Sequence, residues 1–262
     1  MTLKIVVLLL ALILGVTRIW SFRRRGLGPL RALGVSFDLG ELRNLAVGIA
    51  ISSLAIAAVF LVAHVAQSIE VQSVGPPIAL LNDLGSVIGS TTVEELVFRS
   101  ALLGGLLVLL PRVSWLAVAC SAIVFGALHA LNQHATLLAV LGSTVGGVSY
   151  GIAFAATQRI SLPLGLHFGW NYAMGPIFGF PVSGSAPIHA TFVHQHSVGA
   201  PWFTGGEYGP EGGLVGIVGR IIVVALVVAW VTYRRHGPGR TIGRPNKRLS
   251  WSGPIGPDDF PF

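Results

Sequence analysis

Charge is what this chain has least of. Asp, Glu, Lys and Arg make up 10% of its 262 residues, against about 25% in an ordinary soluble domain. So few charges cannot cover a water-facing surface of this size, which excludes a soluble globular protein. Cysteine is nearly absent as well. Cys120 stands alone in an apolar run, so no internal disulfide can form, and a thiol there packs as a small hydrophobe. No HExxH stretch occurs, which removes the commonest helical zinc-protease signature.

What is abundant is apolar length. Hydrophobic residues reach 53% and the mean hydropathy is +0.75. Runs of about 20 apolar residues span a bilayer as helices. The expected fold is therefore all-α, a polytopic transmembrane bundle of about seven spans (six to eight). The spans are placed near 3–20, 45–65, 78–110, 115–131, 135–157, 162–180 and 214–231. The run 78–110 exceeds the length of one upright helix, so it is expected to tilt or break. The first run is followed by SFRRR rather than a small-residue cleavage site, and is expected to be retained.

The 17 basic residues outnumber the 10 acidic ones, for a net charge of +7. They gather beside apolar runs: Arg23, Arg24 and Arg25, then Arg112, Arg159 and the tail. With seven spans all of these fall on one side, the side that the positive-inside rule makes cytoplasmic. The segments SIEVQSVGPP and Pro181 to Gly213 fall on the other. This is a topology signal, and no nucleic acid is expected as a partner. Three regions follow: residues 1–40, a membrane span and basic cytoplasmic linker; 41–233, the membrane core; and 234–262, a basic, disordered cytoplasmic tail. Gly142 with Gly146, Gly165 with Gly169, and Gly175 with Gly179 are spaced for close helix packing in lipid.

Against this background TTVEELVFRS stands out, with Glu94, Glu95 and Arg99 inside one apolar run. An ionisable group at mid-bilayer costs about 2.5–3.5 kcal/mol on insertion scales, so each needs a partner or a wet cavity. Glu95 and Arg99 are four apart, on one helical face and in the favourable order for an ion pair. Glu94 is turned about 100° away and is left to be explained. Two further polar sites lie in separate apolar runs, His129 four residues after Phe125, and Asn171 four after His167. His129 falls late in its span, so a tilt or shifted boundary is needed to bring it level with the others. Intramembrane Glu and His also mark transporters, but no internal repeat of that kind is seen. His189, His194 and His196, with Glu207 and Glu211, form a His/Glu-rich outer loop in which solvated side chains and a structural role are expected.

EExxxR at Glu94–Arg99, FxxxH at Phe125–His129 and HxxxN at His167–Asn171, in this order, resemble the CPBP family of intramembrane proteases. That family, also grouped as Abi, includes type II CAAX prenyl endopeptidases and proteins of bacteriocin processing or self-immunity. The resemblance covers roughly residues 79–180. It implies an intramembrane endopeptidase in a bacterial plasma membrane, acting on membrane-associated protein or peptide substrates, among them CAAX-like prenylated ones. It implies that Glu94 and His129 activate water, that His167 and Asn171 hold the oxyanion, and that Glu95–Arg99 is structural. No cofactor is expected. Zinc held by Glu94, His129 and His167 is the alternative, since those are catalytic-zinc ligand types. A non-catalytic binding or immunity protein keeping the fold is the alternative function.

Overall fold

A computed structural model describes residues 2–185 and 191–236. The chain is mostly helical. Its longer helices are α1 (Thr2–Arg23), α2 (Leu39–Val65), α4 (Ser114–His129), α5 (Leu137–Thr157), α6 (Ser161–Tyr172) and α7 (Leu214–His236). Between α2 and α4 lies α3, a continuous helical run made of Leu84–Glu95, a π-helical stretch Leu96–Leu103 and Gly104–Leu109. Four helices, Leu3–Arg23, Leu39–Val65, Leu137–Thr157 and Leu214–Arg234, are long and apolar enough to cross a membrane, and Ser114–His129 is a shorter apolar helix. The chain is thus an integral membrane protein by its helices.

The boundaries follow local chemistry. Asp38 caps α2 by accepting from the Glu41 amide at 3.0 Å, and Thr136 caps α5 by accepting from Ala139 at 3.2 Å, each satisfying an orphan amide. Gln158, in the left-handed conformation at φ 54°, stops α5. The long run 78–110 resolves into a short turn, Ala79–Asn82, and then α3. Its π-helical stretch begins one residue after Glu95, and π-helical turns recur at functional sites.

The all-α expectation needs one correction. Strands β1 (Ile69–Val74) and β2 (Val193–Ser197) pair antiparallel, Ile69 opposite Ser197 and Val74 opposite Val193, with an irregularity between Val71 and Ser73. They lie in the two segments assigned to the same side of the membrane. Outside the hydrocarbon, strand pairing satisfies their backbone groups.

Small residues bring the helices together. A Cβ on Gly48 would stand 2.6 Å from the Leu162 carbonyl oxygen, one on Gly169 2.7 Å from that of Ile49, and one on Gly165 would collide with that of Leu45. Close backbone contact of α2 with α6 thus rests on these glycines. Gly142 and Gly146 make room on α5 for the Glu211 backbone and the Arg220 side chain. The Gly175–Gly179 pair, by contrast, is no helix contact. Gly179 lies past the helix at φ +68°, where a Cβ would meet the Val193 carbonyl oxygen.

At one end of the bundle Arg18 is fully buried and ties three segments together. It donates to the carbonyl of Ala32, to Gly104 O at 3.2 Å and to Gln158 Oε1 at 3.3 Å. Nearby, Arg159 pairs with Glu41 at 3.5 Å. The part of the basic tail from residue 237 on lies outside the described residues.

Gly165→Ala is expected to lower stability by about 1–3 kcal/mol, the usual cost of overpacking, because both colliding groups are backbone-bound. Gly85→Ala, which has open space around it, should leave the melting temperature in detergent unchanged or raised. Equal melting of both variants would contradict the close contact.

Candidate active site

Four elements converge below the sheet. Glu94 and Glu95 come from α3, His129 is the last residue of α4, His167 and Asn171 lie on α6, and Arg220 lies on α7. The loop before α7 adds Glu211. Glu94, His129, His167 and Asn171 all line one cavity of about 630 Å³. His129 ends α4 and lines the same cavity as Glu94, His167 and Asn171.

The two neighbouring acids have different surroundings. Glu95 is completely buried, with Oε2 3.3 Å from Arg99 Nε, itself completely buried. The two are close enough to neutralise each other, although they are not aligned as a hydrogen bond. The other oxygen, Oε1, accepts from His167 Nδ1 at 2.9 Å. Glu95 is therefore more than the partner of Arg99, because it also orients His167. Glu94 keeps a side-chain exposure of 37%, and its Oε2 is 3.9 Å from His167 Nε2. That oxygen is buried without a hydrogen-bond partner, as is Asn171 Oδ1. Buried polar atoms are ordinarily paired, so both are available to a molecule in the cavity.

His129 is fixed differently. Its Nδ1 donates to Phe125 O, one turn back on α4, at 2.8 Å. This tautomer leaves Nε2 as an acceptor, and the FxxxH spacing is what supplies that carbonyl. The Phe125 ring lies 4.5 Å from the His129 ring and 5.9 Å, edge to face, from that of His167, spacing the two imidazoles.

A second buried ion pair supports the first. Glu211 and Arg220 are paired and nearly inaccessible. Ser183 donates to the same carboxylate, and Arg220 Nη1 donates to Tyr150 Oη at 2.9 Å. Tyr150 stacks on His167 at 4.8 Å. Burial pushes the Glu211 carboxyl up, but Arg220 and the Ser183 hydroxyl outweigh it and hold it below the usual carboxylate value. Glu211 is thus a buried partner of Arg220 rather than a ligand of the loop histidines. Arg220 is a residue the motif pattern does not single out, yet a lone arginine in LVGIVGRIIVV carries its own signal, an intramembrane charge requiring a partner.

The rest of the outer loop disperses. Glu207 pairs with His134 at 2.9 Å and His196 with Glu70 at 3.5 Å, all in exposed positions. His194 sits on β2 opposite Ser73, and His189 lies outside the described residues. Among the described residues no three His, Cys, Asp or Glu side chains are gathered to hold a metal ion. Glu94, His129 and His167 share the cavity. Each imidazole gives its Nδ1–H to a protein oxygen, which leaves Nε2 as its remaining nitrogen for a ligand, and Glu94 Oε2 lies 3.9 Å from His167 Nε2.

Residues 76–173 match the family model described as type II CAAX prenyl endopeptidase Rce1-like. That stretch contains Glu94, Glu95, Arg99, His129, His167 and Asn171, while Glu211 and Arg220 fall outside it. This part of the chain is thus similar to type II CAAX prenyl endopeptidases. No curated protein and no solved structure matches.

Arg99→Ala should strand Glu95 in the core and cost about 3–5 kcal/mol, the usual penalty for breaking a buried pair. The fall in melting temperature in detergent measures it. An unchanged melting temperature would contradict the pairing.

Proposed function

We propose that the chain is an intramembrane endopeptidase that hydrolyses peptide bonds of membrane-associated proteins or peptides with a water activated by Glu94 and His129. The observation that carries this reading is the Glu94–Asn171 face of the cavity. A buried, unpaired carboxylate oxygen of Glu94 and the side-chain amide of Asn171, one helical turn beyond His167, line the same space, which is large enough for a peptide segment.

Water held between Glu94 and the free Nε2 of His129 loses a proton to Glu94 as its oxygen attacks the scissile carbonyl carbon. The carbonyl oxygen becomes an oxyanion. The Asn171 amide donates to it, as does His167 Nε2–H when that ring is protonated; its Nδ1–H is already given to Glu95. The proton on Glu94 then passes to the leaving nitrogen as the C–N bond breaks, yielding a carboxylic acid and an amine, which exchange the acid's proton to leave as carboxylate and ammonium. Positioned acid–base catalysis contributes about 10²–10⁴-fold, and one oxyanion donor about 10²–10³-fold. No serine or cysteine nucleophile is required.

The reading is metal-free. Purified protein carrying stoichiometric zinc, with cleavage abolished by chelation and restored by the metal, would overturn that part of it.

Protein termini should be compared across the proteome of cells making wild type or Glu94→Gln at equal levels. Termini that require Glu94 are expected, with their yield at least about 10²-fold lower in the variant. Matching profiles, with both proteins inserted and abundant, would favour a non-catalytic immunity or binding role.

A further inference from the structure

The two ends of the bundle differ chemically, and the cavity belongs to one of them. The first end is defined by contacts among residues near 18–43, 104 and 158–161. Arg18 reaches Ala32, Gly104 and Gln158, the Ile160 amide donates to Gly34 O, and Arg159 pairs with Glu41. Arg43 lies over the Trp230 ring on α7, bringing the C-terminal part of α7 to the same end. The second end holds the sheet. There Tyr172 bonds the Leu80 carbonyl, Asn132 donates to Ser183 O at 3.1 Å, and the Phe192 amide donates to Pro176 O at 2.8 Å.

Basic residues follow the first end. Arg23, Arg24, Arg25, Arg31 and Arg159 lie in its linkers, and Arg112 follows α3 there. The segments joining helices at the sheet end, 66–83, 130–136 and 178–213, contain no lysine or arginine. Lys4, near the start of α1, is the exception at that end. Lys and Arg in short linkers mark the cytoplasmic side.

The cavity reaches the surface at the sheet end. Exposed Gln133 and Ser185, in the loops there, line its mouth. Asp83, Ser86, Ser90 and Glu94 also line it. Their spacing of three and four places them in a stripe down one face of α3. Glu94 is ten residues from Leu84, about 15 Å along the helix, so the stripe is a polar wall leading from the sheet end to the proposed base.

We infer that the catalytic cavity opens on the non-cytoplasmic face of the membrane, and that its substrates are peptide segments presented from that face rather than prenylated tails in the cytoplasm. This substrate class rests on the peptidase reading above; the direction of opening does not. An entrance of serine, asparagine and glutamine side chains suits hydrogen bonding to an extended peptide backbone, whose donors and acceptors must be matched on leaving water.

Single cysteines at Gln133 and at Gly28, each in a Cys120→Ser background, test the direction. Gly28 is exposed at the basic end and has no neighbour within 4 Å of an added Cβ. Right-side-out vesicles are treated with a membrane-impermeant maleimide, and labelling is normalised to that in detergent. Gln133→Cys is expected to label in intact vesicles, and Gly28→Cys only after permeabilisation. The reverse pattern, or labelling of both from outside, overturns the inference. Because labelling needs no catalysis, the same pattern is expected with Glu94→Gln added. A chain that labels as expected but yields no Glu94-dependent termini would refute the peptidase reading and leave the direction standing. Where cleavage does occur, Glu94-dependent sites should fall in non-cytoplasmic segments, and sites confined to cytoplasmic tails would overturn the substrate class.

Discussion

The buried contact of Glu95 with Arg99 on one side and His167 on the other is the constraint around which the bundle is arranged. Three ionisable side chains are held where lipid and protein exclude water, and each would be costly alone. Glu95 gives one oxygen to each neighbour, so a single carboxylate both neutralises the arginine and sets the orientation of an imidazole at the cavity wall. The guanidinium carbon lies 4.5 Å from the Phe125 ring centre and 5.1 Å from that of Tyr150, so two ring quadrupoles add their attraction to the buried cation.

From there the connections run outward. Tyr150 stacks on His167 and is held by Arg220, which is held by Glu211, which is held by Ser183 in the loop after α6. Thus α3, α5, α6, α7 and one loop meet through polar contacts within an otherwise apolar body. Gly142 and Gly146 belong to the same arrangement, since side chains there would occupy the space of the Glu211 backbone and the Arg220 guanidinium. Such a surround of paired charges and stacked rings preorganises a site, leaving the groups beside it little freedom to lose. Glu94 stands in the cavity with an unpaired oxygen, the setting that the proposed base requires.

How much of this the sequence discloses varies by residue for physical reasons. Charges within apolar runs are conspicuous because lipid makes them expensive, so Glu94, Glu95 and Arg99 can be read at once, and helical spacing separates the paired acid from the free one. Arg18 and Arg220 obey the same rule, but their partners lie far along the chain, at Gln158 and in the loop at Glu211, and no spacing links them. The hydrogen bond from His167 to Glu95 is likewise invisible, since it joins residues 72 apart. The pairing of β1 with β2 joins short segments more than a hundred residues apart, neither strongly alternating. The π-helical stretch leaves no mark in hydropathy. Helix number is legible in broad terms, whereas α3, α4 and α6 carry breaks or short lengths that composition alone does not settle as membrane spans.

The central claim is a division of labour between adjacent acids, one for chemistry and one for structure. It is tested most directly by measuring, side by side in detergent, the melting temperatures of Glu94→Gln and Glu95→Gln. These isosteric changes each remove one negative charge. The account predicts that Glu94→Gln melts at or above the wild-type temperature, because it removes a buried unpaired carboxylate oxygen. It predicts that Glu95→Gln melts well below it, because Arg99 is left uncompensated. Equal melting of the two, or a larger fall for Glu94→Gln, would contradict it.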